Sequence, residues 1–302
     1  MNKKDYLVVG FNESRQFAKK LSKKLRVSYL EIIEKRFPDN ESYLRFPKNV
    51  KGKKLIFVIS LNNPDEKIVK LIFSLSTGKD LGAKKQYLVV PYMPYLRQDK
   101  RFNQGECISG KAFGELFNNS IDKLYTVDPH LHRFKGLGEV FNCASSNIKG
   151  INTISDYILK NFNDAVIIGP DIESLQWVSK LSEKTGFEKV IMLKKRFSSH
   201  KVKITTDKSA MKKIEKHKQI IVFDDIISSG TTMINIVKKL KRHGLRNINI
   251  ICVHGIFANN SYERLKKLGV NKIISANTIL HKSNRINLAI DIAEQLKKDF
   301  KM

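Results

Sequence analysis

The sequence predicts an α/β fold in two similar halves, each a mostly parallel sheet flanked by helices. Three observations lead there. Short apolar runs alternate with amphipathic stretches along the whole chain, the order expected of parallel strands joined by crossover helices. Several amphipathic stretches stop at glycine, at Gly82, Gly186, Gly244 and Gly269, as helices commonly do. The alternation restarts after residues 148–153, and a chain of 302 residues suits two domains of ~100–200 residues each.

In the first half, residues 6–11 (YLVVGF) predict a strand and 13–25 a helix after it. Residues 54–60 (KLIFVIS) read as a buried strand, 67–82 as a helix and 86–93 as a strand. Residues 109–120 predict a helix and 123–128 (KLYTVD) a strand. In the second half, 154–162 is helical, 164–171 (DAVIIGPD) is a strand ending in Asp171, and 173–186 is a helix. Strands are expected at 189–197, 218–225, 247–257 and 272–279, with helices at 233–244 and 262–269. The expected division is 1–149, 150–284 and a closing helix within 285–302 that packs on the N-terminal domain. The likeness of the halves is read as architectural, without a sequence repeat.

Composition narrows the class. A hydrophobic share of 41 % is enough for real cores, and 56 Lys plus Arg against 29 Asp plus Glu make a surface that attracts anions. The basic residues are dispersed in short clusters such as Lys19-Lys20 and Lys238-Lys239, so nucleic acid is not expected as the main partner. Cys107, Cys143 and Cys252 are odd in number and not at metal-ligand spacing, which argues against disulfides or zinc and for a reducing cytoplasm. No stretch approaches the ~18 apolar residues of a membrane span.

The chemistry gathers at residues 220–237, IIVFDDIISSGTTMINIV. Asp224 and Asp225 end a predicted strand, where ligands of open α/β sheets bind. Ser228, Ser229, Gly230, Thr231 and Thr232 follow and lead into a helix. Backbone N–H groups at a helix start bind phosphate, and hydroxyls add donors. Two carboxylates beside a phosphate nest would repel it unless they face something else. A sugar phosphate resolves the conflict, with the phosphate on the loop and the ribose hydroxyls on the acids. An ordinary helix cap rarely carries two acids and four hydroxyls.

This stretch resembles the phosphoribosyl pyrophosphate-binding loop of type I phosphoribosyltransferases, which implies two such domains. Four more stretches narrow the resemblance: RFPDNESYLRF (36–46), VVPYMPYLRQDKRF (89–102), VDPHLHRF (127–134) and IIGPDIESLQWV (167–178). In order, they resemble signature segments of ribose-phosphate pyrophosphokinases, from about residue 36 to about 280. The family moves the β,γ-diphosphoryl group of ATP to the 1-hydroxyl of ribose 5-phosphate.

The resemblance implies roles residue by residue. Arg97, Gln98, Asp99 and Arg101 would bind ATP, where a bidentate guanidinium suits a triphosphate. Phe37, Asp39 and Glu41 match the segment that holds adenine, offered by a neighbouring subunit, so a homo-oligomer with a shared ATP site is implied. His130 and Asp171 match magnesium-associated positions, so Mg²⁺ is the implied cofactor, although a His contact is atypical for it. His132 would sit behind them. Lys194 and Arg196 match a Lys-any-Arg pair that neutralises charge on the transferring group. Lys195 and Ser228 depart mildly from common members. Those departures leave open a regulatory homologue without activity, or a phosphoribosyltransferase using the same loop.

Overall fold

The computed structural model describes residues 3–196, 202–205 and 208–302, with side chains described outside 193–208. The chain divides into two compact units. The first holds 1–149, 278–280 and 288–302, and the second 150–277 and 281–287.

In chain order, the first unit carries β1 (Tyr6–Gly10), α1 (Arg15–Leu25), β2 (Ser28–Glu31), β3 (Ile33–Arg36) and β4 (Ser42–Arg45). It continues with β5 (Lys54–Val58), α2 (Pro64–Asp80), β6 (Lys85–Val90), α3 (Ser109–Glu115), β7 (Lys123–Val127) and β8 (Ala144–Ile148). The second unit carries α4 (Ile151–Asn161), β9 (Ala165–Gly169), α5 (Leu175–Thr185), β10 (Glu188–Ile191), β11 (Leu193–Arg196) and β12 (Val202–Thr205). It continues with α6 (Lys208–Glu215), β13 (Gln219–Ile227), α7 (Thr231–Arg242), β14 (Ile248–Gly255), α8 (Ser261–Lys267), β15 (Lys272–Ala276) and β16 (Asn284–Ile286). The last helix, α9 (Ala289–Phe300), returns to the first unit.

Among the described residues the strands form two six-stranded sheets, ordered β2-β1-β5-β6-β7-β8 and β10-β9-β13-β14-β15-β16, with all pairings parallel. The second order is the first with every label advanced by eight. The short antiparallel ribbons β3-β4 and β11-β12 repeat in the same way.

This register exposes a sequence repeat that composition and periodicity did not show. Residues 13–37 align on 173–197 without a gap. Identical pairs are Glu13/Glu173, Ser14/Ser174, Gln16/Gln176, Lys20/Lys180, Leu21/Leu181, Ser22/Ser182, Lys24/Lys184, Lys35/Lys195, Arg36/Arg196 and Phe37/Phe197. Even the helix stop recurs, with Arg26 (φ 57°) and Gly186 (φ 73°) both left-handed. The repeat escapes a linear reading because the ten shared residues are mostly polar and fall in two short groups, one along the helix and one at the end of the ribbon strand, with ten unmatched residues between Lys24 and Lys35.

Alternation along the strands explains how each sheet is covered. In the first unit Leu7, Val9, Leu55, Phe57, Leu88 and Val90 pack with Ile68, Leu71 and Leu75 of α2. Tyr6 points the other way and stacks on Phe300 of α9, with centroids 4.7 Å apart. Phe300 also meets Tyr87 at 4.6 Å. Asp299 beside it accepts hydrogen bonds from Tyr125 (2.8 Å) and Lys123 (2.7 Å). Phe300→Ala should therefore destabilise the protein by ~3–5 kcal/mol, the usual cost of emptying a buried aromatic site. Denaturant unfolding checks this, and a loss below ~1 kcal/mol would contradict the packing role.

In the second unit Val166, Ile168, Val222, Ile250 and Cys252 pack beneath Ile236, Val237 and Leu240 of α7. His217, between α6 and β13, fastens the strand starts. Its Nδ1 lies 2.8 Å from Asp164 and its Nε2 3.1 Å from Glu188. Lys213 also reaches Glu188 (3.6 Å), and the Lys218 N–H donates to Asp164. Burial lowers the His217 pKa, but the hydrogen bonds with Asp164 and Glu188 outweigh it and leave the pKa raised. A raised histidine contributes stability that is full below the unfolded value of ~6.5 and is lost as pH rises through the folded value. His217→Gln should thus lower Tm more at pH ~6 than at pH ~9; equal losses at both would contradict the charged clasp.

Three expectations are corrected. The run 189–197 is not one strand: it breaks at Met192 into β10 of the main sheet and β11 of the ribbon. Residues 284–286 pair as β16, so the closing helix starts at Ala289. The strand carrying Asp224 and Asp225 runs on to Ile227, because Ile226 and Ile227 still pair with His254 and Gly255 of β14.

Candidate active site

The acid pair therefore sits inside the carboxyl-terminal part of β13, two residues before the loop. Asp225 is buried, with 4 % exposure, and Asp224 is half-buried. The Asp225 N–H donates to Asp224 Oδ1 (3.0 Å), and the Ile226 N–H to Asp225 Oδ1 (2.8 Å). The Asp224 carboxyl is pushed well above the usual carboxylate range. Burial is the main cause, followed by the charges of Asp225 and Asp171, and a hydrogen bond with the Asp225 side chain adds to it. Like charges at close range cannot all ionise cheaply, so the crowding favours the neutral form of Asp224. Cys252, opposite Asp224 on β14, has its thiol raised by burial and by the same two acids.

The loop is built for close approach. Gly230 is left-handed at φ 70° and caps α7; an added Cβ would lie 2.6 Å from Ser261 Cβ. Ser261, at the start of α8, donates to the Ser228 carbonyl at 2.8 Å. Ser229 and Thr231 hydroxyls lie 3.2 Å apart, and the free N–H groups of the first turn of α7 follow at Thr231 and Thr232. Nothing in the sequence singled out Ser261, which supports the loop from a distant helix.

Asp171 follows β9 and opens a capping box. The Ser174 N–H donates to its Oδ1 (3.3 Å), and Ser174 Oγ receives the Asp171 N–H (3.4 Å). Asp171 is thus held where its charge is felt by Asp224. The second unit brings Asp171, Asp224, Asp225 and the 228–232 loop to one end of one sheet.

All but two of the other expected residues lie on the first unit. Phe37, Asp39 and Glu41 form the exposed tip of the β3-β4 ribbon, with Phe37 at 49 % exposure. Asp39 Oδ1 accepts the Glu41 N–H, and Arg36 donates to the Asn40 carbonyl. Arg97 and Arg101 are exposed on the loop after β6. Asp99 does not share that exposure: it is buried and paired with Arg133 at 2.8 Å. Gln98 accepts from Ser109. Arg133 in turn covers the Phe102 ring at 5.5 Å. The sequence reading missed Arg133, whose partner lies thirty-four residues away. His130 follows Asp128, which is buried, left-handed at φ 35° and paired with Lys149; its ring stacks parallel to His132. Lys194 and Arg196 lie on β11, and their side chains fall outside those described.

Among the described residues no group of three or more His, Cys, Asp or Glu forms a ready cage for a metal. Mg²⁺ does not require one, since it commonly takes one or two carboxylates and completes its shell with water and substrate phosphates. Carboxylates crowded together, as Asp171, Asp224 and Asp225 are, fit such a cation chemically, because its charge relieves their repulsion. No helix among the described residues is long and apolar enough to cross a membrane.

Comparison with known proteins gives the family. Residues 6–120 match the N-terminal domain of ribose phosphate pyrophosphokinase, and 144–289 match the phosphoribosyl transferase domain. The ribose-phosphate pyrophosphokinase of Methanobrevibacter smithii is 31 % identical over 96 % of this chain and 100 % of its own. That of Pyrococcus furiosus is also 31 % identical, over the same shares. The crystal structure of phosphoribosylpyrophosphate synthetase from Mycobacterium smegmatis shares the fold, with a TM-score of 0.83 over 99 % of both chains at 22 % identity. Full-length likeness in sequence, both domain matches and the loop on β13 lead to one statement: the chain belongs to the ribose-phosphate pyrophosphokinase family.

Proposed function

We propose that this protein makes 5-phosphoribosyl 1-pyrophosphate, moving the β,γ-diphosphoryl group of ATP to ribose 5-phosphate and releasing AMP. The observation that carries the reading is the β13 site, where Asp224 and the buried Asp225 stand two residues before a phosphate-type loop. Ribose 5-phosphate places its phosphate on Ser228–Thr232 and offers hydroxyls to Asp224 and Asp225. The 1-hydroxyl oxygen then bonds to the β-phosphorus, the bond from that phosphorus to the α,β-bridging oxygen breaks, AMP leaves, and the hydroxyl proton passes to solvent. Lys194 and Arg196 neutralise the charge that spreads over the transferring group. Arg97, Gln98, Asp99 and Arg101 bind ATP, with the two guanidinium groups gripping the triphosphate. Phe37, Asp39 and Glu41 receive the adenine of a neighbouring subunit, so the active form is a homo-oligomer.

Mg²⁺ would be held by Asp171 and His130 and would supply charge neutralisation on the phosphates. Three free thiols, one of them exposed, support a cytoplasmic setting. ATP labelled at the β-phosphorus tests the transfer. The label should appear in the ribose product while AMP forms; label retained in ADP would mean γ-phosphoryl transfer and sink the reading.

A further inference from the structure

The β3-β4 ribbon belongs to neither six-stranded sheet. A two-stranded ribbon is marginal alone, so something must fix its direction. Arg36 reaches Glu66 at 3.0 Å, but that pair is exposed at 43 % and 78 % and contributes little. Glu34 is different. Its Oε1 accepts the Asn12 N–H at 2.7 Å, and its Oε2 meets Lys70 Nζ at 2.9 Å. The two side chains are only 11 % and 19 % exposed. One carboxylate thereby ties three elements together: the ribbon, the turn after β1, and α2.

The internal repeat makes this position more telling. Residue 34 of the first ribbon corresponds to residue 194 of the second, and the shared Lys-Arg-Phe triplet follows in both. The strands pair in the same register, Ile33 with Arg45 and Leu193 with Thr205. Their connections, 37–41 and 197–201, are equal in length. One copy thus carries an anion where the other carries the lysine assigned to transfer. In the first copy that anion faces inward onto a backbone donor and a lysine, which suits holding rather than reacting.

We propose that Glu34 is a positioning residue for nucleotide binding: through Asn12 and Lys70 it aims the Phe37–Glu41 tip. The proposal rests on the reading that this tip receives adenine. It differs from that reading in predicting an effect from a side chain that never touches nucleotide.

The test measures kcat, KM for ATP and KM for ribose 5-phosphate in Glu34→Ala, Glu34→Gln and Phe37→Ala. Glu34→Ala should raise KM for ATP about tenfold, with kcat at saturating ATP and KM for ribose 5-phosphate within about threefold of wild type. Glu34→Gln keeps an acceptor for Asn12 and should recover about half of that effect on a logarithmic scale. If Phe37→Ala raises KM for ATP and neither Glu34 variant does, the positioning role is overturned and the adenine reading survives. If none of the three changes it, the adenine reading itself fails. Proportional losses in kcat and both KM values would mark Glu34 as generally structural and also overturn the proposal. Should Glu34→Ala not fold, the glutamine variant decides alone: an unchanged KM for ATP overturns the role.

Discussion

Replacing Lys194 with alanine is expected to lower turnover by on the order of 10³ or more, with ribose 5-phosphate affinity changed by no more than a few-fold. The reason lies in the chemistry. Diphosphoryl transfer asks little covalent work of the protein, and the barrier falls mainly through positive charge placed where the transferring group spreads its own. A lysine engaged only at that moment contributes to kcat and not to sugar binding. Arg196→Ala should follow the same pattern. Isothermal titration of ribose 5-phosphate beside steady-state kinetics separates the two quantities. Equal loss of binding and turnover would place Lys194 in the ground-state sugar site and remove its assigned role.

The second large effect concerns the acids and runs in two directions. Asp224→Asn/Asp225→Asn should lose at least ~10² in kcat/KM, because a site built for hydroxyl donors is left with amides of the wrong polarity. The single variant Asp224→Asn should at the same time be more stable than wild type at pH ~8. The sign follows from the raised Asp224 pKa, set first by burial and then by Asp225 and Asp171. A group with a raised folded pKa contributes stability that is full below its unfolded value of ~3.9 and is lost as pH rises through the folded value. Asparagine carries no charge to bury, so the gain should be largest above the folded value and shrink towards pH ~4. Thermal melts over that range check it. A variant less stable than wild type at pH ~8 would mean the carboxylate is satisfied rather than strained. Such a trade of stability for function is common where like charges are held together at a site.

Much of this was legible in the sequence, and what was not has identifiable causes. Strands such as Ala165–Gly169 and Ile248–Gly255 are buried along their whole length, so their apolar runs announce them. The ribbon strands Ile33–Arg36 and Ser42–Arg45 are short, polar and half-exposed, and no periodicity marks them. Edge strand Ala144–Ile148, with the sequence ASSNI, is equally silent. The acid pair and its loop were readable because chemistry restricts residue types there. The continuation of β13 to Ile227 was not, since pairing with β14 is a tertiary decision. Likewise the burial of Asp99 against Arg133 depends on a partner that sequence distance hides. The duplicated ribbon emerged only once strand order gave the register on which to lay 13–37 over 173–197.

The central claim is diphosphoryl transfer to a sugar held by the acid pair. The most direct measurement is AMP release from ATP and Mg²⁺ by purified protein, with and without ribose 5-phosphate, in wild type and Asp224→Asn/Asp225→Asn. The account predicts AMP only when the sugar is present, in equal amount to sugar consumed, and none from the variant. Ribose 5-phosphate that binds without any AMP release would contradict it and leave a regulatory homologue in its place.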